Sequence, residues 1–180
     1  VLILFGDTPL LTENTMRMII EVRRGKNNPA VVVLGFTPDD PGEYGRLIIG
    51  KNGELEKIVE YRDSNEEEKK ITLCNAGIMA IDGKRLFSLL DEVGNDNAKG
   101  EFYLSDIVDI CRTRGWGRVV VETDDPDEVM GINSRTDLAQ AEAAFQCKMR
   151  LAVMEQGCTL QDPDTVWFSH DTQLGVDVVV

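Results

Sequence analysis

Two stretches of the chain contain no polar side chain at all: residues 1–5 (VLILF) and 30–36 (AVVVLGF). A sheet with one wet face would show polar residues at alternate positions, so unbroken runs predict strands buried on both faces. Between them Thr12 offers an N-cap, and Met16, Ile19, Ile20 and Arg23 recur at helical spacing until Gly25 and Asn27-Asn28 stop the pattern. Strand, helix, strand predicts a parallel sheet with a crossover helix, hence an α/β fold. A buried strand needs neighbours, so the natural chain is expected to begin well upstream of Val1.

The pattern then changes. Apolar runs at 46–49 and 55–61 flank Lys51-Asn52-Gly53-Glu54, and Asn-Gly in that position predicts a hairpin. Residues 63–70 (DSNEEEKK) read as a solvated loop, followed by a strand at 71–81 and a helix at 83–93. A polar loop at 95–100, a helix at about 104–114 and a strand at 118–122 (RVVVE) complete this part. Ser134, with Asp137 three residues on, resembles a capping box opening the longest helix. Its stripe of Leu138, Ala141, Phe145, Met149, Ala152 and Val153 predicts core packing, and Gly157 suits the C′ position. Beyond it Phe168, Leu174 and Val180 recur every six residues, the mark of a left-handed parallel β-helix.

Composition narrows the function classes. With 42% of 180 residues hydrophobic, the chain can bury the core of one domain with an appendage. Acidic residues outnumber basic ones 32 to 19, which leaves no basic stripe for nucleic acid. Cys74, Cys111, Cys147 and Cys158 form no Cys-x-x-Cys pair and His170 is the single histidine, so neither zinc nor a redox dithiol is expected. No apolar run approaches the ~20 residues that span a bilayer. A reduced, cytoplasmic protein is the expectation, without a nucleic-acid or membrane partner.

Asp7 follows the first strand, where open α/β sheets bind ligands, and its carboxylate suits a hard cation such as Mg²⁺ as well as it suits a simple turn. Asn133, just before the long helix, reads locally as a turn or cap residue. The order of short blocks adds more: Gly-Asp-Thr-Pro-Leu at 6–10, Tyr-Gly-Arg-Leu-Ile at 44–48, and Asn-Asp-Asn-Ala-Lys-Gly-Glu-Phe-Tyr-Leu-Ser-Asp-Ile at 95–107.

With these blocks, and with matching landmarks at 40–48, 58–63, 75–80, 129–135 and 160–163 and at 169, 171–172, 174–175 and 177–178, the chain resembles a bacterial family. That family is the bifunctional N-acetylglucosamine-1-phosphate uridyltransferase/glucosamine-1-phosphate acetyltransferase. The resemblance implies a Rossmann-like, mixed-sheet nucleotidyltransferase domain at 1–133, incomplete here, a linking helix at 134–157, and the first rungs of a left-handed β-helix at 158–180. It implies transfer of UMP from UTP to N-acetylglucosamine 1-phosphate, giving UDP-N-acetylglucosamine and pyrophosphate, and a homotrimer for the full-length protein.

Residue by residue, the resemblance makes Asp7 catalytic and, with Asn133, a Mg²⁺ ligand. It places Phe5, Gly6, Gly45, Glu60, Asn75, Tyr103 and Ser105 against substrate. Gly45 would give backbone approach, Glu60 would hold sugar hydroxyls, Asn75 the acetamido or hydroxyl edge, and Tyr103 and Ser105 the acetyl pocket. Two positions depart from the family: Glu43 stands where a glycine usually precedes the tyrosine, and Phe5 replaces a frequent tyrosine. The family's glycine-rich nucleotide loop, catalytic lysine and arginine, and uracil-reading glutamine are expected upstream of Val1. Its acetyl-CoA-dependent site is expected beyond Val180, so residues 1–180 alone are expected to be inactive. Two alternatives remain at this point: another sugar-1-phosphate nucleotidyltransferase, and a non-catalytic assembly or regulatory subunit. The block at 95–106 favours the uridyltransferase, and the joint presence of Asp7, Glu60, Asn75 and Asn133 argues against an idle homologue.

Overall fold

In the computed structural model, which describes Val1–Val180, the apolar run at 30–36 supplies the central strand β2 (Val31–Phe36), every residue of it buried. Val31 and Val33 enter one core with Leu47, Leu55, Met79, Ile81 and Ile107, while Val32, Leu34 and Phe36 enter another with Ile19, Ile78 and Val129. Both faces need apolar residues because both carry helices. Helix α1 (Glu13–Arg24) supplies Ile19 to the second core; α2 (Leu86–Leu90) and α3 (Asp106–Thr113) supply Leu89 and Ile107 to the first.

The six-stranded sheet runs β4 (Leu55–Val59), β3 (Arg46–Ile49), β5 (Cys74–Ile81), β2, β6 (Arg118–Glu122), with β1 (Leu2–Ile3) also beside β5. Only β2 and β6 pair in parallel; the other pairings are antiparallel. The sheet is therefore mixed. The expected β1-α1-β2 unit is present in a modified form: both strands run antiparallel to β5 and so parallel to each other, but β5 lies between them.

The reading of residues 1–5 as a strand buried on both faces is corrected. Only Leu2 and Ile3 pair, β5 is the one strand beside them, and Val1, Leu4 and Phe5 are 60%, 42% and 50% exposed. An apolar run states a need for burial, and covering it takes further elements. The helix expected at 83–93 shrinks to Leu86–Leu90, since hydrogen-bonded turns at Asp82–Arg85 and Leu90–Val93 bracket it. The strand expected from residue 71 starts at Cys74. The hairpin forms as expected: Gly53 N–H donates to Gly50 O, and Gly53 takes φ +80°, a type I turn closed by a left-handed glycine.

Residues Val1–Val129 form one unit and Met130–Val180 a second. In the second, α4 (Arg135–Glu155) opens with a reciprocal capping box: Asp137 N–H donates to Ser134 Oγ at 3.1 Å and Ser134 N–H donates to Asp137 Oδ2 at 2.8 Å. It closes on Gly157 at φ +98°, where Gly157 N–H donates to Met154 O and Cys158 N–H to Val153 O. The apolar stripe is only partly buried. Leu138 is 51% exposed, and the buried position between Ala141 and Val153 is polar Gln146. Gln146 imitates a strand: its Nε2 donates to Phe168 O at 2.7 Å and its Oε1 accepts from Phe168 N–H at 2.8 Å. Phe168, Leu174 and Val178 join the small core with Val153, Cys158 and Leu160. Val180, expected to point inward, is 44% exposed. No helix is long and apolar enough to cross a membrane.

Candidate functional site

Five of the expected residues, Gly45, Glu60, Asn75, Tyr103 and Ser105, lie near one another in the first unit. Glu60 leaves the end of β4, and Ser105 stands at the N-cap of α3. The Ser105 hydroxyl does not cap its own helix; it donates to Glu60 Oε1 at 3.0 Å. Gly45 precedes β3, and its carbonyl accepts the Asn75 N–H at 2.8 Å. A Cβ on Gly45 would stand 3.3 Å from Glu60 Oε2 and 3.6 Å from Asn75 Cβ, so Gly45 marks a close approach of three strands. Glu60, Tyr103 and Ser105 line a cavity of about 200 Å³ together with Asp63, Asn97 and Asp106. A smaller hollow of about 120 Å³ adjoins it, shares Glu60 and Tyr103, and adds Glu43, Arg62 and Lys99.

Local hydrogen bonds fix the walls. Asn97 Oδ1 accepts from the Lys99 and Glu101 N–H groups, Gly100 takes φ +66°, and Asp63 Oδ1 accepts the Ala98 N–H at 3.0 Å. The polar block at 95–101 is thus a built loop tied back to the pocket. On the other side Arg46, 2% exposed, gathers the loop before Gly45: its guanidinium donates to Pro41 O at 3.2 Å, Gly42 O at 3.0 Å and Tyr44 O. Gly42 takes φ +42° there, and Glu43 stays exposed, so the departure at Glu43 sits within a well-defined turn.

The pocket is acidic. Burial raises the Asp106 carboxyl above the usual range, and Asp109, Glu60 and Asp63 add to the rise. Burial likewise raises the Tyr103 phenol, helped by Asp63, Glu101 and Glu60. Carboxylates and a Tyr hydroxyl facing a small cavity offer acceptors to hydroxyl and amide hydrogens and repel phosphate. The chemistry suits the neutral ring of a sugar.

The two expected cation ligands, Asp7 and Asn133, have free side chains. Asp7 is exposed after β1 and makes no hydrogen bond or ion pair; beside it Thr8 Oγ1 donates back to Phe5 O at 3.2 Å. Asn133, in the second unit, is exposed; its N–H donates to Asp137 Oδ2 at 2.9 Å and its carboxamide is unpaired. Both are hard oxygen donors with open lone pairs, the chemistry Mg²⁺ accepts.

Among curated proteins, the bifunctional protein GlmU of Paramagnetospirillum magneticum is 53% identical over 180 residues, all of this chain and 40% of that protein. The GlmU of Rhodospirillum rubrum is 55% identical over 178 residues, 99% of this chain and again 40% of that protein. Over its whole length the chain is similar to these bifunctional GlmU proteins. It spans about 40% of the length of these GlmU relatives. A solved structure described as a glucose-1-phosphate thymidylyltransferase of Bacillus anthracis, in complex with a sucrose, superposes with a TM-score of 0.51 at 22% identity. It covers 74% of this chain and 49% of that one, and supports the Rossmann-like α/β fold. No family model matches the chain.

Sequence reasoning missed Asp63, Asn97 and Asp106 as lining of this pocket, and Arg46 as the clamp on the loop before Gly45. Each lies inside a quoted block or landmark, but nothing local says that Asp63 reaches residue 98 or that Arg46 turns back on its own loop.

Proposed function

We propose that the chain is the sugar-phosphate-facing part of a uridyltransferase that joins UTP and N-acetylglucosamine 1-phosphate into UDP-N-acetylglucosamine and releases pyrophosphate. The observation that carries this is an acidic cavity lined by Glu60, Tyr103 and Ser105, with Gly45 packed against Glu60 and Asn75 beside it, in a chain about half identical to GlmU proteins. Glu60, held by Ser105, accepts from the sugar hydroxyls; Asn75 turns its carboxamide to the acetamido edge; Tyr103 and Ser105 bound the acetyl group. The sugar phosphate then attacks the α-phosphorus in line, with no covalent enzyme intermediate, so the protein's task is positioning and charge neutralisation. Asp7 and Asn133 are proposed to hold the divalent cation, Mg²⁺, which neutralises the phosphate oxygens when bound. The Phe5-Gly6 backbone leads the nucleotide to Asp7.

In the same reading, residues 134–157 link this domain to an acetyl-CoA-dependent acetyltransferase β-helix that begins at 158–180, and the full-length protein is a cytoplasmic homotrimer. Support for the β-helix comes from a parallel pairing of Thr159 with Val179, in which Thr159 N–H donates to Val178 O at 2.8 Å and Val180 N–H to Thr159 O at 2.9 Å. The domain limits 1–133, 134–157 and 158–180 are part of the proposal.

The test is Glu60→Gln in the full-length protein, read by pyrophosphate release. Replacing a carboxylate that accepts sugar hydroxyls should raise KM for N-acetylglucosamine 1-phosphate at least about tenfold and leave KM for UTP unchanged. An unchanged sugar-phosphate KM would remove the pocket from the reaction. Residues 1–180 alone are expected to release no pyrophosphate.

A further inference from the structure

Strand β5 leaves regular pairing at one place. Val33 pairs with Met79 and Gly35 with Asn75, so a step of two residues in β2 matches a step of four in β5. In the middle of this bulge Gly77 has φ +76°, the left-handed region that side chains resist. Its N–H donates to Asn75 Oδ1 at 3.0 Å. On the neighbouring strand Leu2 stands opposite Ala80 and Ile3 opposite Met79; the same register carried two residues further sets Phe5 opposite Gly77. The Phe5 ring uses the space: a Cβ on Gly77 would lie 2.0 Å from Phe5 Cε2 and 2.7 Å from Cδ2. Aromatic rings laid on a strand glycine in this way pin register.

Phe5 is followed at once by Gly6 and Asp7, and the Thr8 hydroxyl bonds back to Phe5 O, which closes a short turn around Asp7. One chain of contacts therefore runs from Asn75 through the Gly77 backbone and the Phe5 ring to the turn that carries Asp7. We propose that Gly77 is a positioning residue: its bare backbone seats the Phe5 ring, and the seated ring fixes the Asp7 turn relative to Asn75. The inference rests on the reading that Asp7 holds the cation and Asn75 the sugar. It also gives Phe5 a task for its ring, beyond the backbone role proposed above.

The experiment uses the full-length protein and three variants, Gly77→Ala, Phe5→Ala and the double substitution. Two readouts are needed besides kcat: hydrogen exchange at the Gly6, Asp7 and Thr8 amides, and Mn²⁺ binding in the presence of UDP-N-acetylglucosamine, followed by electron paramagnetic resonance. Unseating the ring should speed exchange at these amides about tenfold and weaken Mn²⁺ about fivefold in either single variant. The double variant should be little worse than Phe5→Ala, because the two substitutions break one contact. If Gly77→Ala does not fold, Phe5→Ala alone decides. Unchanged exchange and Mn²⁺ binding in Phe5→Ala, or strictly additive effects in the double variant, would overturn the inference. Asp7→Ala, run alongside, separates the two levels: if it leaves Mn²⁺ binding intact, the cation site itself is misplaced.

Discussion

Glu60 and Asp7 are both carboxylates set just past a strand end, yet the protein treats them in opposite ways. Glu60 is half-buried, receives the Ser105 hydroxyl at 3.0 Å, and stands against Gly45. Asp7 is exposed and unpaired, as is the carboxamide of Asn133. Under the proposed function, the difference matches what each side would bind. A neutral sugar offers many weak hydrogen bonds, so its acceptors gain from being fixed beforehand. A divalent cation brings its own strong field and draws free oxygen ligands into place, so fixing them by other hydrogen bonds would only compete with it.

The contrast can be broken by mutation, and the largest effect belongs to the free side. Asp7→Ala in the full-length protein should lower kcat by about 10²-fold or more, because charge at the phosphates would go unneutralised. Its melting temperature should stay unchanged, since no folded contact is lost; a collapsed melting temperature with normal kcat would make Asp7 structural instead.

On the fixed side Arg46→Lys is the sharper probe. Lysine keeps the charge but cannot fork to three loop carbonyls, so the loop before Gly45 should loosen. KM for the sugar phosphate should rise about tenfold, equivalent to about 1.4 kcal/mol, with kcat little changed. A matching rise in KM for UTP would mean that the loop serves the nucleotide. Ser105→Ala should act on the same KM and by less, roughly threefold, because it removes one hydrogen bond from Glu60 and leaves the carboxylate in place.

The smallest effect is electrostatic. The folded-state pKa of Asp106 is raised, chiefly by burial, so its ionisation works against the fold. Below the ordinary carboxylate range Asp106 is protonated in both states and contributes nothing; as pH rises through the raised pKa the folded protein is penalised. Asp106→Asn should therefore melt higher than the parent at neutral pH, with the gap closing as pH falls below the carboxylate range. Melting curves across that range decide it, and a gap independent of pH would assign the effect to packing.

Much of this architecture was legible in the residues. The unbroken apolar run at 30–36 required a strand covered on two faces, Asn52-Gly53 required a turn, and Ser134 with Asp137 required a helix start. Each depends on a few adjacent side chains and local backbone geometry, which is why β2, the β3–β4 hairpin and the cap of α4 appear where expected. The blocks around Gly45, Glu60, Asn75 and Ser105 were also legible, through resemblance. What only the tertiary structure decided depends on distant partners. Residues 1–5 look like a central strand, but just two of them pair, because pairing needs a neighbour that an apolar run cannot itself supply. The placement of β5 between β1 and β2 was equally hidden, since hydrophobic patterning is blind to strand order and direction. Gln146 sat unnoticed among apolar stripe residues, and its burial makes sense only beside the Phe168 backbone, 22 residues away. The same holds for Gly77: one glycine in an apolar strand says little until the ring of Phe5 is found lying on it.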